Sequence, residues 1–359
     1  MDEAIKKIIL CYDNSDPSVI ATEISISIAR AFGSEVVGIH GYNASMHEGA
    51  FRIMEPTLPE KYQKEEILER QRDVHNKLIN IGMEKISLSY LRPLRERFAV
   101  TSVDFRENVR EGKNFRAIKE IIEEEQGDLV IMGSHGFNSN GNGFIGSVCL
   151  RVLRLVDTNF LIVKERISFD NPRYVVCLDG SSSAIASLRA ARFFAERFNA
   201  ELHLIYVFDS ALHKDLFGRL KESVINREGF SFNSKEQEKI HDAFIDKGLA
   251  RVGSLILEKA EREVFSEQGS RAVEQQIKTQ GFGLVGDGYP IVKKVLEGHI
   301  YKRICDYASE VEADLIFLGR TGRHYVEGID IGSVTENVLR FAPCSVFIAR
   351  SERFQGWQL

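Results

Sequence analysis

The sequence predicts an α/β protein made of two tandem copies of one open-sheet domain. Two observations carry this: an internal repeat that runs through the 359 residues, and short β-branched runs that alternate with helical stretches inside each copy. A third observation, a glycine-spaced loop that recurs after corresponding strands, bears on function as well as fold.

The repeat is read from aligned blocks. Ile8-Ile-Leu-Cys-Tyr-Asp13 recurs as Tyr174-Val-Val-Cys-Leu-Asp179, and Ala29-Arg-Ala-Phe-Gly33 as Ala195-Glu-Arg-Phe-Asn199, both at an offset of 166. Val109-Arg-Glu-Gly112 matches Val295-Leu-Glu-Gly298, and Asp128–Gly133 matches Asp314–Gly319, now at an offset of 186. The second copy therefore carries 20 more residues between Val207 and Val295. Domains are expected at 1–166 and 172–352, joined by a short polar junction and followed by a tail over 353–359 that holds Trp357, the only tryptophan.

In the first copy strands are predicted near 6–12, 35–40, 99–106, 128–133 and 159–163, with helices near 17–32, 60–90, 113–125 and 146–155. In the second, strands are predicted near 173–178, 201–207, 290–296, 314–319 and 345–349. Strand–helix alternation of this kind builds a parallel sheet with crossover helices. Asp16-Pro17 reads as an N-cap followed by proline at the first helical position, and Ser181-Ser-Ser183 as the cap of the corresponding helix. Helical apolar stripes (Ile67, Val74, Leu78 and Ile81; Ile240, Phe244, Val252 and Ile256) predict that the inserts, at about 42–98 and 208–289, are enlarged helices that cover the sheet, with a partner-binding surface or lid as the alternative. Gly248 and Gly253 weaken the second of these helices.

Bulk properties narrow the function classes. A net charge of -5 and a pI near 6.1 offer no electrostatic case for nucleic acid or an anionic membrane. No apolar run approaches the ~20 residues of a membrane span, and the start does not read as a signal peptide. Cys11, Cys149, Cys177, Cys305 and Cys344 lie far apart, which fits buried thiols in a reducing, cytoplasmic compartment rather than a disulfide or zinc framework.

The chemistry concentrates after the fourth strand. The first copy reads Gly133-Ser-His-Gly136, nine residues, then Gly146-Ser147; the second reads Gly319-Arg-Thr-Gly322, nine residues, then Gly332-Ser333. The leading glycines let backbone approach a ligand without a Cβ in the way. The last glycine opens a helix whose N–H groups and dipole favour phosphate, with a serine hydroxyl beside them. Asp13 and Asp179 end the first strand of each copy on the same rim, where a ribose hydroxyl or a base amine would donate to them.

These elements together resemble the universal stress protein family, in its ATP-binding branch, through both halves outside the inserts. Met132–Gly136 and Gly332–Val338 read like family consensus stretches. The resemblance implies two tandem open parallel five-stranded sheets of order 3-2-1-4-5 with helices on both faces, adenine nucleotide alpha hydrolase-like. It implies ATP, or ADP or AMP, between the first and fourth strands of each half, with or without Mg²⁺. It also implies pairing of fifth strands, within the chain or in a homodimer. Carried over by position, base and ribose contacts fall on Asp13 and Gly41 and on Asp179 and Val207. Phosphate contacts fall on Gly133, Gly136, Gly146, Ser147 and the adjoining Val148, and on Gly319, Gly322, Gly332, Ser333, Val334 and Thr335. Gly41 stands where the family often has an aliphatic residue, so the first site lacks a wall for the base, and Cys149 replaces the residue that is Thr335 in the second copy.

The intervening residues differ. The first loop, 137–145, is nearly neutral, whereas the second carries Arg320, Arg323 and His324, offset by Glu327 and Asp330. Cations near a phosphate add charge-assisted bonds, so tighter binding is expected at the second site.

Other signals have plainer readings. Gly281-Phe-Gly283-Leu-Val-Gly286 spells a dinucleotide fingerprint, but Asp287-Gly-Tyr-Pro290 follows instead of a helix, which predicts an insert loop. Ser134-His135 are sequence neighbours with no acid in view, a loop rather than a nucleophile and its base. The nine histidines show no metal spacing, and His40 reads as a strand-end residue, packed or touching a nucleotide. No catalytic residue is assigned. The expected function is an ATP-binding stress-response regulator that couples nucleotide occupancy to conformation or to an unknown protein partner. Two alternatives stand beside it: a slow ATPase or nucleotidyl-transfer enzyme, for which no Walker-type lysine is present and Asp330 is the one loop acid, and a nucleotide-free interaction module.

Overall fold

The structure, a computed structural model, describes residues 5–136, 145–156, 158–210, 215, 234–265, 282–284, 289–323 and 331–349. The chain divides into two compact units, Met1–Glu165 and Arg166–Leu359.

The first unit runs β1 (Lys7–Cys11), α1 (Asp16–Phe32), β2 (Glu35–Tyr42), α2 (Ser45–Met54), α3 (Glu65–Ala99), β3 (Phe105–Glu111), α4 (Asn114–Glu125), β4 (Leu129–Gly133), α5 (Ser147–Leu155) and β5 (Asn159–Val163). Its strands lie in the order β3-β2-β1-β4-β5, all parallel. The central strands are continuous apolar runs because helices cover both faces: Ile8, Ile9, Leu10, Val36, Val130, Ile131 and Leu161 are fully buried. Order reverses between β1 and β4. Ile8 pairs with Val36 on one side and Leu129 on the other, so a crevice opens beyond the carboxyl ends of these two strands.

The second unit repeats this with β6 (Arg173–Cys177), α6 (Ser182–Phe198), β7 (Glu201–Phe208), α7 (Ser234–Phe265), β8 (Phe282–Leu284), β9 (Pro290–Glu297), α8 (Ile300–Glu310), β10 (Leu315–Gly319), α9 (Ser333–Phe341) and β11 (Ser345–Ala349). Within this unit the strand order is β11-β10-β6-β7-β9-β8. The five strands shared with the first unit are parallel. β8 adds a sixth, antiparallel to β9, with Gly283 opposite Ile291. The middle of the Gly281–Gly286 fingerprint is thus a short edge strand, not a loop; Gly281 and Gly286 lie outside the described residues.

Four other expectations are corrected. The third strand falls at 105–111, not 99–106, because α3 continues to Ala99 and buries Leu91, Leu94 and Phe98, the last stacked on Phe105 at 4.4 Å. The strand itself, Phe-Arg-Glu-Asn-Val-Arg-Glu, is charged because it is an edge. The stripe on the first insert does not cover the sheet: Val74, Leu78 and Ile81 are exposed, and the buried residues of α3 are Leu68 near its start and Ser87, Leu91, Leu94 and Phe98 in its C-terminal part. The cap of α1 is Ser15, with Asp16 and Pro17 in the first turn, and the Ser15 hydroxyl donates to Asp13 rather than capping the helix. Ser181 does cap α6, accepting from the Ala184 N–H at 3.1 Å. Finally, Gly253, read as a point against a helix, lies within α7 and has a packing reason. A Cβ there would lie 2.4 Å from Tyr206 Cδ1 and 3.0 Å from Val295 Cγ1, so the missing side chain lets the helix press onto β7 and β9. The side chains of Ile240 and Phe244 lie outside the described residues.

Among the described residues no helix is long and apolar enough to cross a membrane.

Candidate functional site

Each unit has a cavity at its switch point. The first, of about 450 Å³, is lined by Asp13, Gly41, Gly133, Gly136, Gly146, Ser147 and Val148, together with Cys11, Tyr12, His40, Asn114, Ile118, Met132, His135 and Cys149. The second, of about 560 Å³, is lined by Asp179, Val207, Gly319, Gly322, Gly332, Ser333, Val334 and Thr335, and among others by Tyr206, Ile300, Ile304, Thr321, Arg323 and Glu336. Both volumes suit a small organic ligand. Of the candidates, only Arg320 stays outside. Its backbone bonds Ala349 and Gly332, its side chain is buried, and it does not line the cavity. Arg323 is the second loop's cation at the cavity wall. Residues 137–144 and 324–330, with His324, Glu327 and Asp330, lie outside the described residues, as does the 353–359 tail with Trp357.

The three glycines of each loop motif have different physical reasons. A Cβ on Gly319 would meet Ser183 Oγ at 2.6 Å, Ser183 C at 2.7 Å and Ala184 N at 2.8 Å. On Gly133 it would meet Pro17 Cβ at 3.0 Å and Ser18 N at 3.2 Å. These first glycines let α1 and α6 seat on the ends of β4 and β10. Gly136 and Gly322 face the aspartates: a Cβ would lie 2.8 Å from Asp13 Oδ2 and 2.9 Å from Asp179 Oδ2. Gly146 has φ -59° and a hypothetical Cβ 3.2 Å from His135 Cα. Gly332 is different again. Its φ is -68°, open to any residue, and among the described residues a Cβ would find nothing nearer than 3.5 Å. Neither the backbone nor the described neighbours require glycine at 332.

The aspartates hold the rim together. Asp179 accepts the Ser181 N–H on Oδ1 and the Arg323 N–H on Oδ2, each at 2.9 Å, tying the loop after β6 to the loop after β10. Asp13 accepts the Ser15 N–H at 3.1 Å and its hydroxyl at 2.5 Å, and Ser15 also reaches the His135 carbonyl. A carboxylate in this position orders the cradle before any ligand arrives.

The helices that follow start at the cavity wall. The first intrahelical bond of α5 runs from the Leu150 N–H to the Gly146 carbonyl, and that of α9 from Glu336 to Gly332. The N–H groups of Ser147, Val148 and Cys149, and of Ser333, Val334 and Thr335, precede those bonds, and all six residues line the cavities. Thr335 donates to the Gly319 carbonyl at 2.9 Å, a tie from helix to strand that is not available to Cys149. Glu336, in the same turn, pairs with Arg340 at 2.7 Å.

Burial keeps the thiols of the first cavity wall neutral. Burial pushes the Cys149 thiol up to about 12, and burial, then Cys149 and Asp13, pushes Cys11 above the thiolate range. Burial also raises Tyr206, opposed by nearby Arg323 and reinforced by Asp179. Neither thiol is a nucleophile at neutral pH. Ser134 and His135 are in fact hydrogen-bonded, Oγ to Nδ1 at 3.0 Å, but Ser134 is buried and out of reach of a substrate. Among the described residues no group of three potential metal ligands occurs.

Two wall elements escaped sequence reasoning. Asn114 and Ile118 on α4, and Ile300 and Ile304 on α8, close the cavities from the far side of β2 and β7. Both pairs stand at the 186 offset, directly after the matched Val109–Gly112 and Val295–Gly298 blocks, so the repeat pointed to them. They also qualify the expectation for Gly41. A Cβ there would press on the Asn114 carbonyl at 3.0 Å and Ala117 Cβ at 3.2 Å, so α4 itself occupies the space of the missing side chain.

The sequence model of the universal stress protein family matches residues 4–164 and 244–350, more than half of the chain. The chain belongs to the universal stress protein family. The second match begins inside α7; β6, α6 and β7 are placed by the repeat and by the strand order. A Staphylococcus aureus (strain USA300) protein named as a universal stress protein is 27% identical over 179 residues, 50% of this chain and 83% of that one. The crystal structure of a universal stress protein from Archaeoglobus fulgidus DSM 4304 aligns over 96% of this chain and 98% of its own, at a TM-score of 0.55 and 19% identity. A structure from Pseudomonas aeruginosa UCBPP-PA14 aligns over 96% and 93%, at 0.55 and 15%. Identities this low speak to the shared fold.

Proposed function

We propose that this universal stress protein is a cytoplasmic regulator that binds an adenine nucleotide, ATP foremost, in each unit and couples occupancy to conformation or to a protein partner. The observation that carries the reading is Gly332. A motif glycine that neither backbone conformation nor the described neighbouring atoms require is explained by a ligand that approaches the backbone there. The cavities support it by their volumes and by the helix N-termini and serines that open onto them. In this reading Ser147, Ser333 and the adjoining N–H groups take the phosphates, and Asp13 and Asp179 receive the ribose or base once the rim is ordered.

Coupling has a physical route. Residues at the ends of β2 and β7 that line the cavities also touch the inserts: His40 meets the Tyr90 ring edge-on at 5.5 Å, and Tyr206 lies against Gly253. A ligand that shifts either ring moves an insert helix. Tighter binding is assigned to the second unit, on Arg323 and the larger cavity, with Glu336 opposing. Hydrolysis has little to work with among the described residues, since Asp179 is engaged by two backbone N–H groups and Glu336 by Arg340. Fifth-strand pairing, within the chain or between copies, belongs to the same proposal.

Calorimetry with ATP on the wild type, Gly146→Glu and Gly332→Glu tests it. Two binding events in the wild type and one in each variant are expected, with the weaker event surviving in Gly332→Glu. Absence of binding at millimolar ATP overturns the proposal, and equal affinities in the two variants overturn the ranking of the sites.

A further inference from the structure

The repeat exposes a buried contact at which the two units differ. In the first, Val37 on β2 and Ile121 on α4 are both fully buried where that helix packs on the sheet. At the matching positions, by the offsets of 166 and 186, the second unit has His203 on β7 and Tyr307 on α8. Both are buried as well. His203 Nδ1 lies 2.9 Å from the Tyr307 hydroxyl, and the rings meet at 5.8 Å and 60°. The fold does not require this polar pair, since the first unit seats the same helix with two aliphatic side chains.

The surroundings leave the histidine ring poorly equipped to carry charge. Glu201, two residues back on β7, stands 3.3 Å from Nε2, yet among the described residues that nitrogen makes no hydrogen bond. The Glu201 side chain is shared with Arg173 of β6, at 3.6 Å. In the sheet His203 is flanked by Val175 of β6 and Val292 of β9. Arg173 and Lys294, each two residues from those valines, add positive charge on the same face. From α8 come Arg303, over the Tyr307 ring at 5.9 Å, and its partner Glu310, at 2.7 Å. Burial foremost holds the His203 pKa below the ordinary histidine value; Arg173 and Lys294 act in the same direction, and Glu201 opposes them. Burial, then Glu310 and Glu201, keep Tyr307 a neutral hydroxyl, with Arg303 opposing.

At neutral pH the uncharged ring shares one hydrogen bond with Tyr307. Protonation puts an N–H on both ring nitrogens and a positive charge into a contact closed to water. With Glu201 already engaged by Arg173, the charge is hydrated by separating α8 from β7. That helix is also a cavity wall: Ile300 and Ile304, in the two turns before Tyr307, line the second cavity.

We propose that His203 and Tyr307 form a pH-sensitive clamp: on acidification His203 takes up a proton, α8 loosens from β7 and the wall of the second cavity opens, while the first unit, with Val37 and Ile121, does not respond. The clamp is independent of what fills the cavity. Because the folded state binds this proton less readily than the unfolded one, the clamp is intact above about 6.5 and is lost as pH falls below it.

Hydrogen exchange of the full chain, read by mass spectrometry at pH 7.5 and 5.5 with times scaled for the intrinsic pH effect, tests it. Opening of α8 over residues 300–310 is expected to rise on acidification, by up to about tenfold for each pH unit below about 6.5, as uptake of one proton requires. Residues 114–125 of α4 serve as the internal reference and should hold their protection. His203→Val with Tyr307→Ile, which copies the first unit's pair, should abolish the α8 response. Should that double variant fail to fold, His203→Gln keeps a hydrogen-bonding group opposite Tyr307 that cannot titrate, and it should abolish the response too. A wild type in which α8 and α4 respond alike, or an α8 response that survives loss of the imidazole, overturns the proposal.

Discussion

The motif glycines separate into those that the fold requires and one that it does not, and substituting alanine at Gly319 and Gly332 measures the difference. At Gly319 the new methyl lies 2.6–2.8 Å from Ser183 and Ala184, and two of the three atoms are backbone of α6. They cannot rotate away, so helix and strand must separate, an overpacking cost of about 2–3 kcal/mol or more. At Gly332 the nearest atom among the described residues is the Arg320 carbonyl oxygen at 3.5 Å, and φ of -68° suits alanine. Alanine there reduces the entropy of the unfolded chain, worth about 0.4–1 kcal/mol, but is a poorer helix N-cap by a similar amount. The net change is expected within about 1 kcal/mol. Urea denaturation followed by circular dichroism reads both values, with melting as a check. ATP calorimetry should then show Gly332→Ala folded like the wild type but weakened at the second site. If Gly332→Ala destabilises as much as Gly319→Ala, the glycine serves the fold and the reasoning from it to a ligand fails.

Asp179→Ala removes the acceptor of two backbone N–H groups, at Ser181 and Arg323, and should cost about 1–3 kcal/mol in denaturation even without nucleotide. Thr335→Val leaves a buried Gly319 carbonyl without its hydroxyl donor and is expected to cost about 1–2 kcal/mol, while Cys149→Val at the matching position should cost less. Glu125 accepts hydrogen bonds from Arg106 and Asn108, and the Arg106 bond foremost lowers its pKa to about 2. A depressed folded-state value stabilises the protein above the ordinary carboxylate range and is lost as pH falls from about 4.5 towards about 2. Because Arg106 is half exposed, Glu125→Gln should cost only about 1–2 kcal/mol at pH 7, and denaturation at pH 2 should find the deficit gone.

Sequence reasoning located strands best where they are central. Ile8–Leu10 and Asn159–Val163 are buried on both faces, so continuous apolar runs mark them. The edge strand Phe105–Glu111 carries salt bridges from Arg106 and Arg110 and has no such signature. Nevertheless, the repeat offset assigns it, since the second-copy strand at 290–297 maps onto it. Site residues supplied by the glycine loops were legible because spacing fixes their chemistry. Asn114 and Ile300 carry no motif of their own, and only the repeat offset points to them. Arg320 was misplaced because charge in a loop reads as exposure, whereas here the side chain turns into the protein. The stripe on α3 shows a different limit: periodicity reports that an apolar face exists, not what covers it.

The central claim is that these cavities hold an adenine nucleotide, and it is tested most directly by mass spectrometry of the small molecules released when gently purified full-length protein is denatured. Near-stoichiometric ATP or ADP is the predicted result, with less of it from Gly332→Glu protein. Protein that releases no adenine nucleotide and also ignores millimolar ATP in calorimetry would contradict the account and leave the loops as structure alone.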